Sequence, residues 1–427
     1  MVVGDLHLGK RSGGIRGNPE EGSTRVTWGR IVDWCIGQGA DLLFLTGDII
    51  DRDNRYFEAA GPLKEGFSKL EKAGIKVFMV SGNHDFDVLP QVLQGAGNGN
   101  VRLLGKEGKW ELAHFEKRGQ VIQIAGWSFP RQYVYENPMI SFSEISPDPN
   151  FPCIGLLHCD AAGGDSKYGP VSVDDFIGRQ VSVWALGHIH KAQVLNESGP
   201  LVFYPGSPHA LSAKENGAHG VVLMTVEADG RTAYEHVPLS PVRFEELRVD
   251  ITGSSGEDDV RARIIRAAGD DAGKRAGEHP DLLWMVYDVI LEGEHRSPRE
   301  IAGRAGTGIE DYRHESPEGI SILFRTLETR VRPVIGDLNK LAEEASPAGK
   351  LAETIIALRE GRMTPFAGTL LEEWNKINKT LVDSAVYVPV RQEVMNPDAG
   401  GDGREYILRE CHRLLGELME QTSASTK

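Results

Sequence analysis

Apolar residues in the first half of the chain come in short continuous runs. Residues 42–45, 77–80, 154–157 and 181–186 are such runs, and each empties into a loop through glycine or a polar residue. A continuous apolar run of this length reads as a strand buried on both faces. Val2-Val3 makes a shorter opening run. A first strand so short suggests that the natural chain begins further upstream. Between the runs the period changes: residues 24–38 place Val26, Ile31, Val32 and Cys35 at helical spacing, and residues 57–73 read as a second helix before a strand at 75–80. That β-α-β-α-β order favours a parallel sheet. From about Val101 short strands follow, at 121–125, 154–157, 183–186, 201–204 and 221–226. The expected fold class is α/β: two packed mixed sheets with helices outside, a four-layer α-β-β-α sandwich.

After a linker around Pro238 to Pro241 the pattern shifts. Leu247, Val249 and Ile251 alternate as in a strand, 258–277 is a polar helix, and 282–291 is another strand. This predicts a small appended β-α-β domain over 241–316, following a first domain over 1–240. From Pro317 the chain reads as helical to 427, because Ile320, Leu323, Phe324, Leu327, Val331, Val334, Leu338 and Leu341 recur at spacings of three and four. Pro333 should kink that helix. Helices around 351–359 and 370–381 follow, then a Gly/Asp-rich linker at 396–403. A last helix carries one apolar stripe: Ile407, Cys411, Leu414, Leu415 and Leu418. There are no internal repeats.

The candidate chemistry sits where the runs end. Five motifs carry it: Gly4-Asp5-Leu6-His7, Thr46-Gly47-Asp48, Ser81-Gly82-Asn83-His84-Asp85, Leu156-Leu157-His158 and Gly187-His188-Ile189-His190. In open α/β sheets ligands bind beyond the carboxyl ends of strands, so these loops can converge. Carboxylate, amide oxygen and imidazole together suit a pair of divalent ions such as Mn²⁺ better than a thiolate-type structural zinc site. Cys159, next to His158, reads as a bystander thiol. The histidines outside the motifs are assigned no metal, although His209 is near enough in sequence pattern to touch the site.

Composition narrows the partners. At 427 residues the chain is long enough for two or three domains. It has no run of about 18 apolar residues and no visible signal peptide, so no membrane partner is expected. Four scattered cysteines fit a reducing cytoplasm. A net charge of −15 is awkward for nucleic acid. Any DNA contact should therefore be local, shared with a partner, or metal-dependent. Candidates for the phosphate backbone are Lys10, Arg11 and Arg16, with a second basic group at Arg102, Lys106, Lys109, Lys117 and Arg118. Tyr168 and Trp127 could stack on bases.

Taken together, Asp-x-His, Gly-Asp-x-x-Asp, Gly-Asn-His-Asp, a strand-end His and Gly-His-x-His resemble the motif set of the calcineurin-like metallophosphoesterases, in that family's order over residues 4–190. The resemblance implies that Asp48 bridges two metals. Asp5, His7 and His190 would complete one metal, and Asn83, His158 and His188 the other. His84 would be the catalytic residue that is not a ligand, and Asp85 would orient a neighbouring imidazole.

Within that superfamily, Asp5-Leu6-His7-Leu8-Gly9 and the segment from Tyr204-Pro205-Gly206-Ser207-Pro208 through Glu215 to Gly220 resemble SbcD-type DNA double-strand-break repair nucleases, notably the YhaO-like branch. This implies a Mn-dependent DNA nuclease, 3′–5′ exonuclease with endonuclease activity, serving DNA repair. It also implies a DNA-capping domain after residue 243 and a helical tail docking on an SMC-like coiled-coil ATPase, and it allows a homodimer. The run Gly47-Asp48-Ile49-Ile50-Asp51-Arg52 resembles a form common in phosphatases, where the Arg52 position meets substrate phosphate. That keeps a nucleotide or small-molecule phosphodiesterase or phosphatase as the alternative. A scaffold with a degenerate site is disfavoured by the full ligand set.

Overall fold

A computed structural model describes residues 1–15, 20–52, 59–94, 99–197, 199–334, 337–383 and 403–424. The chain divides into two compact units. One is Met1–Glu246 with Ala268–Asp288 and Glu310–Arg325; the other is Leu247–Ala267 with Val289–Ile309 and Thr326–Lys427.

Along the first part run β1 (Val2–Val3), α1 (Thr24–Gly37), β2 (Leu42–Leu45), α2 (Ala60–Lys72), β3 (Lys76–Met79), α3 (Leu89–Gln94), β4 (Val101–Leu103), β5 (Glu111–Lys117), β6 (Gln120–Trp127), β7 (Cys153–His158), β8 (Val183–Gly187), β9 (Gln193–Asn196), β10 (Leu201–Tyr204), β11 (Gly220–Val226) and β12 (Thr232–Pro238). They form two six-stranded sheets, ordered β12-β11-β1-β2-β3-β4 and β5-β6-β7-β8-β10-β9. The pairs from β1 to β4 and β6-β7-β8-β10 are parallel. Antiparallel strands flank them.

The apolar runs are explained by burial on both faces. Phe44, Phe78 and Val80 of the first sheet share a buried cluster with Ile124, Ile154, Leu156, Ala185 and Phe203 of the second. Leu43, Leu45, Val77 and Met79 point the other way, onto Ile31, Cys35, Leu63 and Phe67 of α1 and α2. Behind the second sheet, Trp184 packs with Phe142 and Phe176. Those two come from short 3-10 segments, Pro138–Glu144 and Val173–Phe176, so they sit on short 3-10 pieces rather than long helices. The strands missing from the sequence reading, β4, β5, β9 and β12, lie at sheet edges. An edge strand has fewer neighbours to bury it, and its sequence alternates or turns polar.

Further on come β13 (Val242–Asp250), α4 (Glu257–Glu278), β14 (Trp284–Glu292), β15 (Glu294–His295), α5 (Pro298–Gly306), β16 (Arg313–Glu315), β17 (Ser321–Thr329), β18 (Arg332–Pro333), α6 (Leu338–Ala342), α7 (Pro347–Arg359), α8 (Pro365–Asp383) and α9 (Gly403–Ala424). The β-α-β reading of 247–291 corresponds to β13, α4 and β14. The helix expected from residue 320 is not there. Residues 321–329 form a strand of the four-stranded sheet β13-β14-β17-β16. The apolar spacing of three and four was accidental. Pro317-Glu318-Gly319 is a turn, with Gly319 at φ +82°, and it folds β17 back on β16 in the register Arg313↔Leu323. Pro333 lies in β18 instead of kinking a helix.

The last helix also differs from expectation. Ile407, Cys411 and Leu415 of α9 pack on Leu351, Ala352 and Ile355 of α7. Most of the stripe expected to be free for docking is therefore covered inside its own unit. Residues 396–402 of the expected linker lie outside the described residues. Among the described residues no helix is long and apolar enough to cross a membrane.

Candidate metal centre

Five strand ends deliver the site. Asp5 and His7 follow β1, Asp48 follows β2, Asn83 and His84 follow β3, His158 ends β7, and His188 and His190 follow β8. The backbone bends sharply to do this. Asp5 (φ 44°), His7 (φ 46°), Asp48 (φ 48°) and His188 (φ 106°) all occupy the left-handed half of backbone space. Each such residue costs on the order of 1–3 kcal/mol and persists only where packing enforces it. The motif glycines give the room. A Cβ on Gly82 would strike Asp48 Oδ1, and one on Gly187 would strike the Thr46 carbonyl.

The side chains converge as acceptors. Ligand-type atoms of Asp5, His7 and His190 lie within 4.8 Å of one another, as do those of Asp5, Asp48 and His158, and those of His7, Asp48 and His84. His158 Nδ1 sits 3.1 Å from the Thr46 carbonyl and His190 Nδ1 2.7 Å from Glu215 Oε1. His7 Nδ1 lies 3.3 Å from Asp51 Oδ1. With each Nδ1 donating outward, the network assigns a lone pair to each Nε2. Yet His7 Nε2 faces His190 Nε2 at 3.1 Å, and His158 Nε2 lies 3.4 Å from Asp48 Oδ2 and 3.1 Å from Asn83 Oδ1. Acceptors aimed at acceptors in a buried space fit divalent cations at their centre.

The electrostatics agree for His7, His158 and His188. His190 is the exception, since burial pulls it down but Glu215 and Asp5 outweigh that and raise it. Burial lowers His7 and His158, and it pulls His188 down to about 4, so these rings are neutral and able to ligate. Burial raises Asp5. Burial also pushes Asp48 up, but His158, His7 and His84 outweigh it and the carboxyl is held below its usual range. His84 is different: burial pulls it down, while Asp51 and Asp48 outweigh that and raise it. Its Nδ1 lies 3.6 Å from Asp51 Oδ1, and its backbone N–H donates to Asp48 Oδ1 at 2.8 Å. His188 stands outside the three tight groups. Its backbone N–H caps Asp5, and its ring packs 5.3 Å from His158.

Residues 1–192 match the family described as calcineurin-like phosphoesterase. The chain carries a calcineurin-like metallophosphoesterase domain. A relative named "Uncharacterized metallophosphoesterase YhaO", from Bacillus subtilis, is 33% identical over 261 residues, covering 58% of this chain and 62% of that protein. The "DNA double-strand break repair protein Mre11" of Sulfurisphaera tokodaii is 25% identical over 224 residues, covering 50% and 55%. The chain thus spans less than two thirds of either relative's length. The similarity extends to a YhaO-type metallophosphoesterase and, more weakly, to an Mre11 repair protein.

Some expected residues of the phosphoesterase domain take other places. Asp85 does not orient an imidazole. Its carboxylate accepts backbone N–H bonds from Gly82 (2.8 Å), Ile49 (2.7 Å) and Ile50 (3.3 Å), tying the loops after β2 and β3 together. Asp51 stands behind the imidazoles instead, beside both His7 and His84. Trp127 is buried against Phe129 and offers no face to a base. His209 is buried too, on Thr27, Ser12 and Gly22 rather than on any metal-ligand candidate. Lys10 reaches Asp51 at 2.9 Å, Arg11 lies 3.7 Å from Glu20, and Arg52 is exposed. Arg16 lies outside the described residues. In the second basic group, Arg102 is paired to Glu111 and Lys117 to Asp41, which favours a solvated surface. Glu215 escaped the sequence reading as a site residue, although it stands in the 204–220 segment that carried the resemblance.

Proposed function

We propose that the protein hydrolyses DNA phosphodiesters at this centre, using two divalent cations with Mn²⁺ preferred, as a 3′–5′ exonuclease with endonuclease activity in DNA repair. The observation that carries the reading is the convergence of carboxylates and imidazoles, on strained backbone, from five strand ends. Asp48 would bridge the ions, with Asp5, His7 and His190 on one side and Asn83, His158 and His188 on the other. When bound, such a pair polarises a phosphodiester and makes nearby water more acidic. The ligand set has no thiolate, and imidazole suits Mn²⁺ better than Mg²⁺.

The remaining work falls to side chains at the edge of the cluster. His84 is part-exposed with Asp51 behind it. From there it can stabilise charge on a phosphoryl group or give a proton to the leaving oxygen. Arg52, Lys10 and Arg11 are the candidate cations for the flanking phosphates. The DNA assignment draws support from the Mre11 relative and from the opening motif. By the same reading, residues 241–316 and the strand that follows them would cap DNA, and the C-terminal helices would dock on an SMC-like coiled-coil ATPase in the cytoplasm. A homodimer is compatible with it.

The test is digestion of end-labelled double-stranded DNA beside a bis-aryl phosphodiester, with Mn²⁺, with Mg²⁺ and with EDTA. Mn²⁺-dependent hydrolysis of both is expected. Cleavage of the aryl ester alone would favour a nucleotide or small-molecule phosphodiesterase, which the acidic net charge suits. Equal rates in EDTA and Mn²⁺ would end the two-metal reading.

A further inference from the structure

Just outside the metal cluster lies an aromatic surface that the chemistry of hydrolysis does not use. Tyr168 packs its ring 4.7 Å from that of His188. Tyr133 follows at 6.1 Å from Tyr168. The Lys167 ammonium stands 4.6 Å from the centre of the Tyr133 ring and 5.4 Å from that of Tyr168. Tyr133 is 37% exposed and Lys167 is exposed as well.

The support is firm. The two loops pair at Val134 and Tyr168, through Val134 N–H to the Lys167 carbonyl (2.9 Å) and Gly169 N–H to the Val134 carbonyl (2.8 Å). Val134 itself is buried. The rings are therefore presented on a fixed backbone, with one end touching a ligand-type histidine and the other in solvent.

We propose that Tyr133, Tyr168 and Lys167 form a subsite for an unpaired nucleobase next to the scissile phosphate. The inference rests on the DNA reading above and adds a preference for single-stranded or frayed ends. Inside a duplex both faces of a base are already stacked, so only an unpaired base can lie on a tyrosine ring. Stacking of this kind is sequence-tolerant, because every base has a π-face. Lys167 adds a cation at the same place, where the phosphate beside a stacked base carries negative charge.

The test uses the full chain and a single strand with phosphorothioate linkages, carrying 2-aminopurine near its 3′ end, beside the same strand with abasic sites there. The wild-type protein should quench the 2-aminopurine and bind the strand with bases about tenfold or more tightly than the abasic one, the scale of one stacked base. Tyr133→Ala should remove the quenching and bring the two affinities together, whereas Tyr133→Phe should keep both effects. Tyr133 is chosen because Tyr168 also supports His188. Equal binding of the abasic strand, no binding of either strand, or a base preference that survives Tyr133→Ala would overturn the subsite. Cutting is read separately, on an unmodified strand with Mn²⁺. A protein that stacks the base and never cuts fails the nuclease reading alone.

Discussion

Two clusters of buried histidine lie in the phosphoesterase domain, and their surroundings separate them. Around His209 and His219 every ring nitrogen has an ordinary partner. His209 meets Thr27 Oγ1 at 2.7 Å and Ser12 Oγ at 2.8 Å; His219 meets Ser207 Oγ at 3.0 Å and the Glu215 carbonyl at 3.1 Å. Around His7, His158 and His190 the outer nitrogens are satisfied in the same way, but the inner ones face each other and two carboxylates. The backbone tells the same story: Asp5, His7, Asp48 and His188 have positive φ, and neither His209 nor His219 does. Burial alone does not mark a functional histidine. What marks it is an acceptor left aimed at another acceptor, on backbone that costs energy to hold.

The largest expected effect breaks the site cluster at its centre. Asp48→Ala should strip bound Mn²⁺ and abolish hydrolysis, because the carboxylate reaches both groups of ligands. His84→Ala should keep near-normal metal content and lose about 10²-fold or more in kcat, the scale for a positioned acid or charge stabiliser. Metal analysis beside steady-state rates on a bis-aryl phosphodiester reads both. His84 lies within ligand range of His7 and Asp48, so a His84→Ala protein without its metal would move that residue into the ligand set.

Next is Glu215, the outward partner of His190. Its other oxygen accepts the Leu211 N–H at 2.6 Å, so the carboxylate is held from behind. Glu215→Gln should weaken Mn²⁺ binding about 10- to 100-fold, as expected when the group orienting a ligating imidazole is lost. Titration calorimetry with Mn²⁺ would show it. An unchanged affinity would make Glu215 a strut for the 204–220 segment only.

The satisfied cluster should answer through stability. Burial pulls His209 down to about 4. Above the unfolded value, near 6.5, the ring is neutral in both states. As pH falls from there towards 4 the unfolded chain takes up a proton that the folded one refuses, so stability is lost across that window, by on the order of 3 kcal/mol at most. His209→Gln removes the titration. Its unfolding free energy, from denaturant titration, should start lower at pH 7, by about 1–3 kcal/mol for the disturbed buried hydrogen bonds, and then fall less steeply on acidification than that of the wild type. Its Mn²⁺ affinity should be unchanged. A loss of metal in that variant would erase the distinction between the clusters.

This contrast also explains what could be read from sequence. The strands after which the site residues fall are buried on both faces, so they print as continuous apolar runs, and the glycines print because a Cβ would collide. The architecture and the places of Asp5, His7, Asp48, Asn83, His84, His158, His188 and His190 were legible for that reason. Edge strands such as β5 and β12 were not, since solvent on one side dilutes the pattern. The strand β17 was misread because Ile320, Leu323, Phe324 and Leu327 satisfy a helical spacing by chance, while the Pro317-Glu318-Gly319 turn carried the true signal. The partners of the imidazoles were the hardest to see. Asp51 and Asp85 both stood inside quoted motifs, but which carboxylate meets a ring and which meets backbone is decided by side-chain direction, and spacing does not encode it.

The smallest expected effect concerns Cys159, which sits beside His158 in sequence and invites reading as a soft ligand. The thiol is fully buried, and burial raises its pKa well above the ordinary value, so the thiolate that a metal needs is disfavoured. Its backbone carbonyl accepts from the Tyr204 hydroxyl at 2.9 Å, and that contact does not depend on the side chain. Cys159→Ala should therefore keep its Mn²⁺ content and its rate, and lose about 1 kcal/mol of stability for the small cavity left by the sulfur. Metal analysis and thermal unfolding of the two proteins decide it. If Cys159→Ala lost an ion, or if the wild type took up Cd²⁺ in preference to Mn²⁺ and the variant did not, the thiol would belong to the metal cluster after all.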